Sequence, residues 1–257
     1  WAATDAAAIA PHHGLQYQAA QQRDPAQRAL ACRVLLSTQE PLGFALLAQR
    51  VSTALAAPTG ETLQALAAEL ALPSAAATEQ QLAENFRLRH RLGHYLGAMF
   101  YYEGEWYWGI DRLHYLEARL QALGARRRDA PAGGCAPRAA LPAPLASAGQ
   151  PRLQLEFFPS LRSPYTQLSY GRLRELVQRY PVDLVVRPVL PMMMRGVKAD
   201  RRKGQYILFD TQREAERLGI AFGNLWDPFG KPILRAYSLF PWARDQGRGF
   251  EYLQVYS

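Results

Sequence analysis

The residues best placed to do chemistry in this sequence are a serine and a proline where a helix is expected to begin. Ser163 and Pro164 follow a segment with alternating apolar residues and precede a helical one. A hydroxyl at a helix N-terminus lies among unpaired backbone N–H groups at the positive end of the helix dipole. That environment stabilises an anion such as a thiolate. A serine that only caps the helix explains the same pattern, so both interpretations stay open.

Three further polar residues accompany this pair. Tyr165 and Thr166 complete the turn and are candidates to line a pocket, although a tyrosine there could equally pack with its hydroxyl in water. Arg187 ends the next apolar segment, close to the expected site. It could bind an anionic ligand or form an ion pair with a neighbouring carboxylate.

Strand, helix and strand are expected to position these residues. Leu153, Leu155 and Phe157 alternate along the first predicted strand, and the mostly apolar stretch 182–187 forms the second. The helix between them is expected to end at Pro181. This order predicts a parallel β-α-β unit. A loop is expected to follow as far as about residue 203, and then a helix from about residue 205 that ends at Gly219.

The first half of the chain is predicted to be mainly helical, until the spacing of its apolar residues changes to one typical of strands. Two or three helices between about residues 25 and 72 are expected to break at Pro41, at 58–60 and at Pro73, with Thr59 or Thr62 as a cap, and another helix is expected from about residue 78 to residue 92. Residues 98–102 and 105–108 are predicted to pair as a hairpin through Glu103-Gly104. A last helix follows, with Asp111 at its start and Gly124 at its end.

A proline-, glycine- and alanine-rich stretch at 125–150 divides the sequence. Such a composition cannot continue a helix or a central strand. We therefore expect a first domain at 1–124, a linker at 125–150 and a second domain at 151–257.

Several motifs resemble the DsbA-like branch of the thioredoxin superfamily that holds 2-hydroxychromene-2-carboxylate isomerases and kappa-class glutathione transferases. The segments that carry this likeness are 157–166 with its Ser-Pro-Tyr-Thr turn, 187–190, 203–220 with Tyr206 and Asp210, and the Gly-Glu-Trp-Tyr-Trp-Gly-Ile-Asp-Arg-Leu stretch at 104–113. The last of these resembles the family's C-terminal signature, yet it precedes the others in this chain.

The resemblance implies an α/β, thioredoxin-like fold with a helical insertion. The swapped order has two explanations. A weak internal echo of residues 14–29 in residues 219–236 favours parts of two tandem domains, and one circularly permuted domain is the alternative. Because the first residue is Trp1, we expect a processed or truncated chain.

The resemblance also implies a function. Ser163 would stabilise the thiolate of glutathione as cosubstrate, with Pro164, Tyr165, Thr166, Arg187 and Asp111 around glutathione and a small electrophilic or aromatic substrate. The activity expected is that of an isomerase or transferase. A non-catalytic thioredoxin-like binding module and an atypical thiol-disulfide oxidoreductase are the alternatives. Ala98 stands where the family's cis-proline is expected, which favours the binding module for the first domain.

Composition argues against other classes of function. The net charge of +8 comes mostly from scattered basic residues without a nucleic-acid recognition motif. The two cysteines, Cys32 and Cys135, form no Cys-x-x-Cys pair, and no metal-ligand spacing is evident. No apolar run is long enough to span a membrane. We expect a cytoplasmic protein that binds neither nucleic acid nor membrane, with a homodimer left open.

Overall fold

The computed structural model describes residues 2–14, 24–56, 62–134, 151–198 and 200–257. By their internal contacts the residues group into two compact units. One comprises Trp1–Leu92 with Leu120–Ala139, and the other comprises Gly93–Arg119 with Ala140–Ser257.

The first unit is helical. Its helices are α1 (Ala2–Ile9), α2 (Pro25–Leu35), α3 (Pro41–Ala56), α4 (Leu63–Ala68) and α5 (Ala75–Arg91). Their apolar faces meet in one cluster formed by Ala31, Val34, Leu47, Val51, Leu63 and Leu66.

The predicted helix boundaries in this unit are largely confirmed. Helix α3 begins at Pro41, as expected of a residue that lacks a backbone N–H. Thr62 caps α4 by accepting a hydrogen bond from the N–H of Ala65. The break predicted at 58–60 and the alternative cap Thr59 lie outside the described residues. Helix α5 begins slightly earlier than expected because Ser74 caps it.

The predicted hairpin is confirmed in the second unit. Strands β1 (Met99–Tyr102) and β2 (Glu105–Trp108) pair antiparallel, with Tyr102 opposite Glu105. Glu103 and Gly104 both have positive φ, 41° and 88°, which gives the turn the twist that a two-residue hairpin needs.

The residues after the hairpin differ from the prediction at one position. A single 3-10 turn, Ile110–Arg112, leads into α6 (Leu113–Ala122). Asp111 is the middle residue of that turn, so it does not occupy the cap position directly before α6.

The predicted β-α-β unit is also confirmed. Strands β3 (Leu153–Phe157) and β4 (Val182–Val186) pair in parallel, and α7 (Pro164–Arg179) connects them. Leu153 lies opposite Val182 and Phe157 opposite Val186. Ser163 is the N-cap of α7 and Pro164 its first residue, as the sequence predicts.

Three helices follow β4 and complete the second unit. They are α8 (Arg201–Leu218), α9 (Lys231–Asp245) and α10 (Gly249–Tyr256). Helix α8 starts earlier than the predicted residue 205 because Asp200 caps it, and it ends at Gly219 with φ 65°, as expected. The apolar cluster of this unit contains Leu161, Tyr170, Ile233, Ala236, Phe240 and Leu253.

The class of the protein is therefore α/β, with two small sheets in the described ranges, β1-β2 and β3-β4. Residues 125–134 form turns and irregular chain, and the rest of the predicted linker, with Cys135, lies outside the described residues. None of the described helices combines the length and the apolar character needed to cross a membrane.

Candidate functional site

A buried carboxylate, Asp210, is the centre of a polar network in the second unit. Its side chain is only 2% exposed. The guanidinium of Arg112 donates from Nε to Oδ1 at 2.9 Å and from Nη2 to Oδ2 at 3.1 Å. This forked geometry matches two donors to two acceptors and compensates the buried charge.

Two tyrosines donate to the same carboxylate. The hydroxyl of Tyr165 lies 2.7 Å from Oδ2, and that of Tyr206 lies 3.2 Å from Oδ1. The Tyr206 oxygen also accepts a hydrogen bond from the backbone N–H of Trp108 at 3.2 Å. Asp210 thus joins the Ser-Pro-Tyr-Thr turn to the stretch at 104–113, two motifs that lie far apart in the sequence.

This environment fixes the protonation of the tyrosines. Burial, and after it the hydrogen bond and charge of Asp210, raise the pKa of Tyr165 well above its usual range. Burial and the same carboxylate raise the pKa of Tyr206. Burial alone would lower the pKa of Arg112, but hydrogen bonds and charge from Asp210 raise it. Tyr165 is therefore a neutral hydrogen-bonding group at physiological pH and not a phenolate nucleophile.

A second ring of charges surrounds this centre. Arg213 lies 3.5 Å from Asp210 and 3.2 Å from Glu105 on β2. Glu214 binds Arg217 at 2.6 Å and accepts from the hydroxyl of Tyr115 at 2.6 Å. Burial and the neighbouring carboxylate raise the pKa of Tyr115 to about 12. Helix α8 presents one polar face to the hairpin and the start of α6.

The turn that carries Ser163 is held mainly through its backbone. The Ser163 N–H donates to the carbonyl of Ser160 at 2.9 Å, and the Ser163 carbonyl accepts from the N–H of Thr166 at 2.9 Å. The hydroxyl of Thr166 accepts from the N–H of Ser160 at 3.3 Å. The half-buried side chain of Ser163 makes no capping hydrogen bond. Its hydroxyl is therefore not committed to satisfying the helix.

Two further contacts fix the approach to this turn. The hydroxyl of Tyr237 accepts from the N–H of Leu161 at 3.2 Å and donates to the carbonyl of Val189 at 2.9 Å. Arg162 binds both oxygens of Asp227, at 2.7 and 2.8 Å. That contact holds the pKa of the Asp227 carboxyl below its usual range.

The other predicted site residues lie in two places. The carboxylate of Asp111 is 64% exposed and accepts from Nη1 of Arg112 at 2.7 Å, so it lies at the edge of the Asp210 network. Arg187 is exposed and its guanidinium pairs with Glu156 at 2.7 Å. Tyr165 and Asp111 are thus connected through Arg112 and Asp210, whereas Arg187 is engaged on the β3-β4 sheet.

Asp210 and Arg112 were not predicted as site residues, although both lie in motifs singled out from the sequence. A signal was present in α8. Its buried residues are Tyr206, Asp210, Thr211 and Ala215, which share one face at helical spacing. A carboxylate on the buried face of a helix requires a partner, and the arginine beside Asp111 supplies it.

The start of the hairpin departs from ordinary backbone geometry. Ala98 has φ 54°, a left-handed conformation that is costly for a residue with a Cβ. Its carbonyl accepts from the N–H of Gly109 at 3.2 Å, which closes the hairpin. The peptide bonds of the described residues are all trans.

Across the described ranges, no group of three or more histidine, cysteine, aspartate or glutamate residues could hold a metal ion. Of the two cysteines, Cys32 is partly buried on α2 in the first unit. Comparison with protein-family models, with curated proteins and with solved structures finds no match to this chain.

Proposed function

We propose that the protein is a glutathione-dependent isomerase or transferase in which Ser163 stabilises the glutathione thiolate. The observation that carries the proposal is the state of the Ser163 hydroxyl. It lies at the N-terminus of the 16-residue helix α7 and is not used as a cap. A hydroxyl in that position can donate to a bound anion, and the helix dipole adds to the stabilisation.

The chemistry needs no nucleophile from the protein. Glutathione loses its thiol proton to solvent, and the thiolate accepts a hydrogen bond from Ser163. The sulfur then forms a bond to an electrophilic carbon of a small or aromatic substrate. In a transfer, a leaving group departs with its electron pair. In an isomerisation, the adduct rotates and expels the same thiolate, so glutathione is regenerated.

The remaining candidates would bind and orient the ligands. Pro164, Tyr165 and Thr166 would line the pocket beside the sulfur. Asp111, with its exposed carboxylate, would hold the glutamyl end of glutathione. Arg187 would have to leave Glu156 to bind a ligand carboxylate, so we assign it the weaker role.

The Asp210 network supports the permuted arrangement of a thioredoxin-like domain. Arg112 belongs to the portion before the predicted linker, and Asp210 belongs to the portion after it. Both fall in the second compact unit, as expected if the two portions complete one domain. A cytoplasmic location and a homodimer belong to the same proposal.

A non-catalytic binding module is the second candidate, and one observation favours it. Ala98 replaces the proline that contacts the thiol compound in the resembled family, and it adopts a left-handed backbone. An oxidoreductase has less support, because Cys32 and Cys135 lie far apart in the sequence and form no Cys-x-x-Cys pair.

The test is a calorimetric titration of glutathione into the protein and into Ser163→Ala, with Ser160→Ala as a matched control in the same turn. Loss of one hydrogen bond to a charged sulfur should weaken binding about tenfold to a hundredfold in Ser163→Ala. The control should bind as the unchanged protein does. Absence of heat, together with absence of thermal stabilisation by excess glutathione, would reject the proposal and favour the non-catalytic binding module.

A further inference from the structure

We propose that Asp210 is a positioning residue for the Ser163 turn and acts through Tyr165; its consequence for glutathione rests on the function proposed above. The hydroxyl of Tyr165 donates to Oδ2 of Asp210 at 2.7 Å. Tyr165 is the second residue of α7 and follows Ser163 by two positions. A fixed hydroxyl on a rigid ring restrains the backbone from which the ring projects.

Asp210 is well suited to act as the fixed point. It lies near the middle of α8, is 2% exposed, and receives a forked pair of hydrogen bonds from Arg112. Tyr206, one helical turn before it, holds the other carboxylate oxygen. The carboxylate therefore cannot reorient without breaking several charge-assisted hydrogen bonds, which are stronger than neutral ones.

The charge of Asp210 is paired within the network. An unpaired carboxylate near Ser163 would repel a thiolate. Arg112 compensates Asp210 and also pairs with Asp111, while Arg213 lies 3.5 Å from Asp210 and pairs with Glu105. Tyr165 is thus anchored by a charge-assisted hydrogen bond to a carboxylate that has its own cationic partner.

Simple packing does not explain this arrangement. Burying a charged pair carries a desolvation cost that well-packed apolar side chains avoid, and such pairs are often replaceable without loss of stability. What an apolar pair cannot do is hold the Tyr165 hydroxyl in one direction. We therefore assign the network to the orientation of the turn.

The experiment compares Tyr165→Phe with Tyr206→Phe in the full chain. Both changes remove one tyrosine hydrogen bond to Asp210, and Tyr206→Phe also removes the bond donated by the N–H of Trp108, but only Tyr165 lies in the turn. Amide hydrogen exchange at residues 160–167, measured without glutathione, should become about tenfold faster in Tyr165→Phe and remain unchanged in Tyr206→Phe. Glutathione should then bind about tenfold more weakly to Tyr165→Phe only, and the pKa of its bound thiol should rise.

The possible outcomes separate this inference from the proposed function. Equal exchange rates in both variants, or an unchanged turn in Tyr165→Phe, would overturn the positioning role even where glutathione binds normally. A turn loosened only in Tyr165→Phe supports the role. If the turn is loosened only in Tyr165→Phe but the unchanged protein binds no glutathione, the proposed function is rejected and the positioning role is kept. Asp210→Asn, which keeps the shape but removes the charge, should loosen the same turn as Tyr165→Phe.

Discussion

At the scale of single residues, the second unit contains a buried carboxylate, Asp210, whose charge is paired with that of Arg112. Folding removes the Asp210 carboxylate from water, which costs free energy unless its lone pairs find donors. Arg112 and two tyrosines supply those donors. The pair is worth little as a net source of stability, but loss of one partner leaves a buried charge without compensation.

We therefore expect Arg112→Met to lower the free energy of unfolding by about 3–5 kcal/mol. Urea denaturation followed by circular dichroism measures this change. The matched control is Arg152→Met, which breaks a pair with Asp183 whose side chains are both 60% exposed; it should cost about 0–1 kcal/mol. Similar losses in the two variants would contradict the buried-charge argument.

The residue scale also shows where sequence reasoning stops. The turn around Ser163 could be predicted because its cap and proline act over a few neighbouring residues. The contact between Arg112 and Asp210 spans 98 residues. No local rule states which buried carboxylate meets which arginine, so the motifs could be recognised but not joined.

At the scale of elements, the packing of α9 against α10 depends on a glycine. A Cβ at Gly249 would lie 3.0 Å from a ring carbon of Phe240 and 3.2 Å from the Cα of Arg244. Helix α10 can therefore pack this closely against α9 only because residue 249 has no side chain. Gly171, in the middle of α7, is the opposite case, because a Cβ added there would have no atom of a neighbouring residue within 4 Å.

Two Gly→Ala substitutions should accordingly change the free energy of unfolding in opposite directions. Gly249→Ala should destabilise the protein by about 1–3 kcal/mol through overpacking between α9 and α10. Gly171→Ala should stabilise it by about 0.5–1 kcal/mol, because alanine loses less backbone entropy in a helix. Thermal unfolding of the two variants side by side checks both signs. A stable Gly249→Ala would show that Phe240 can move aside.

Elements with local signals were predicted well, and their arrangement was not. The Glu103-Gly104 turn, the parallel strands and the end of α8 at Gly219 follow from turn, alternation and capping rules. Asp111 was predicted at the start of the last helix, but it lies in a short 3-10 turn that precedes α6. Arg112, the last residue of that turn, contacts Asp210, and no local rule contains this contact.

At the scale of the whole molecule, each unit has its own apolar cluster, but only the second contains the buried tyrosine network around Asp210. Burial, and after it the neighbouring Asp210 carboxylate, raise the pKa of both Tyr165 and Tyr206 above the ordinary value of about 10. A proton that the folded protein retains and the unfolded chain releases links stability to pH.

The sign of this linkage predicts loss of stability in alkali. Below about pH 10 both states keep the tyrosine protons, and the stabilisation is complete. Above it the unfolded chain ionises while folded Tyr165 and Tyr206 stay neutral, so the free energy of unfolding falls by up to about 1.4 kcal/mol per pH unit for each residue.

Urea titrations between about pH 8 and pH 11 test this prediction. The double variant Tyr165→Phe and Tyr206→Phe should be less stable at neutral pH, because Asp210 loses two donors, but its stability should decline less steeply above about pH 10. Arg152→Met, which removes an exposed side chain that stays charged throughout this pH range, should retain the original slope. If the double variant declines as steeply as the unchanged protein, then the Asp210 network does not hold these phenols neutral, and Tyr165 would be free to ionise beside Ser163.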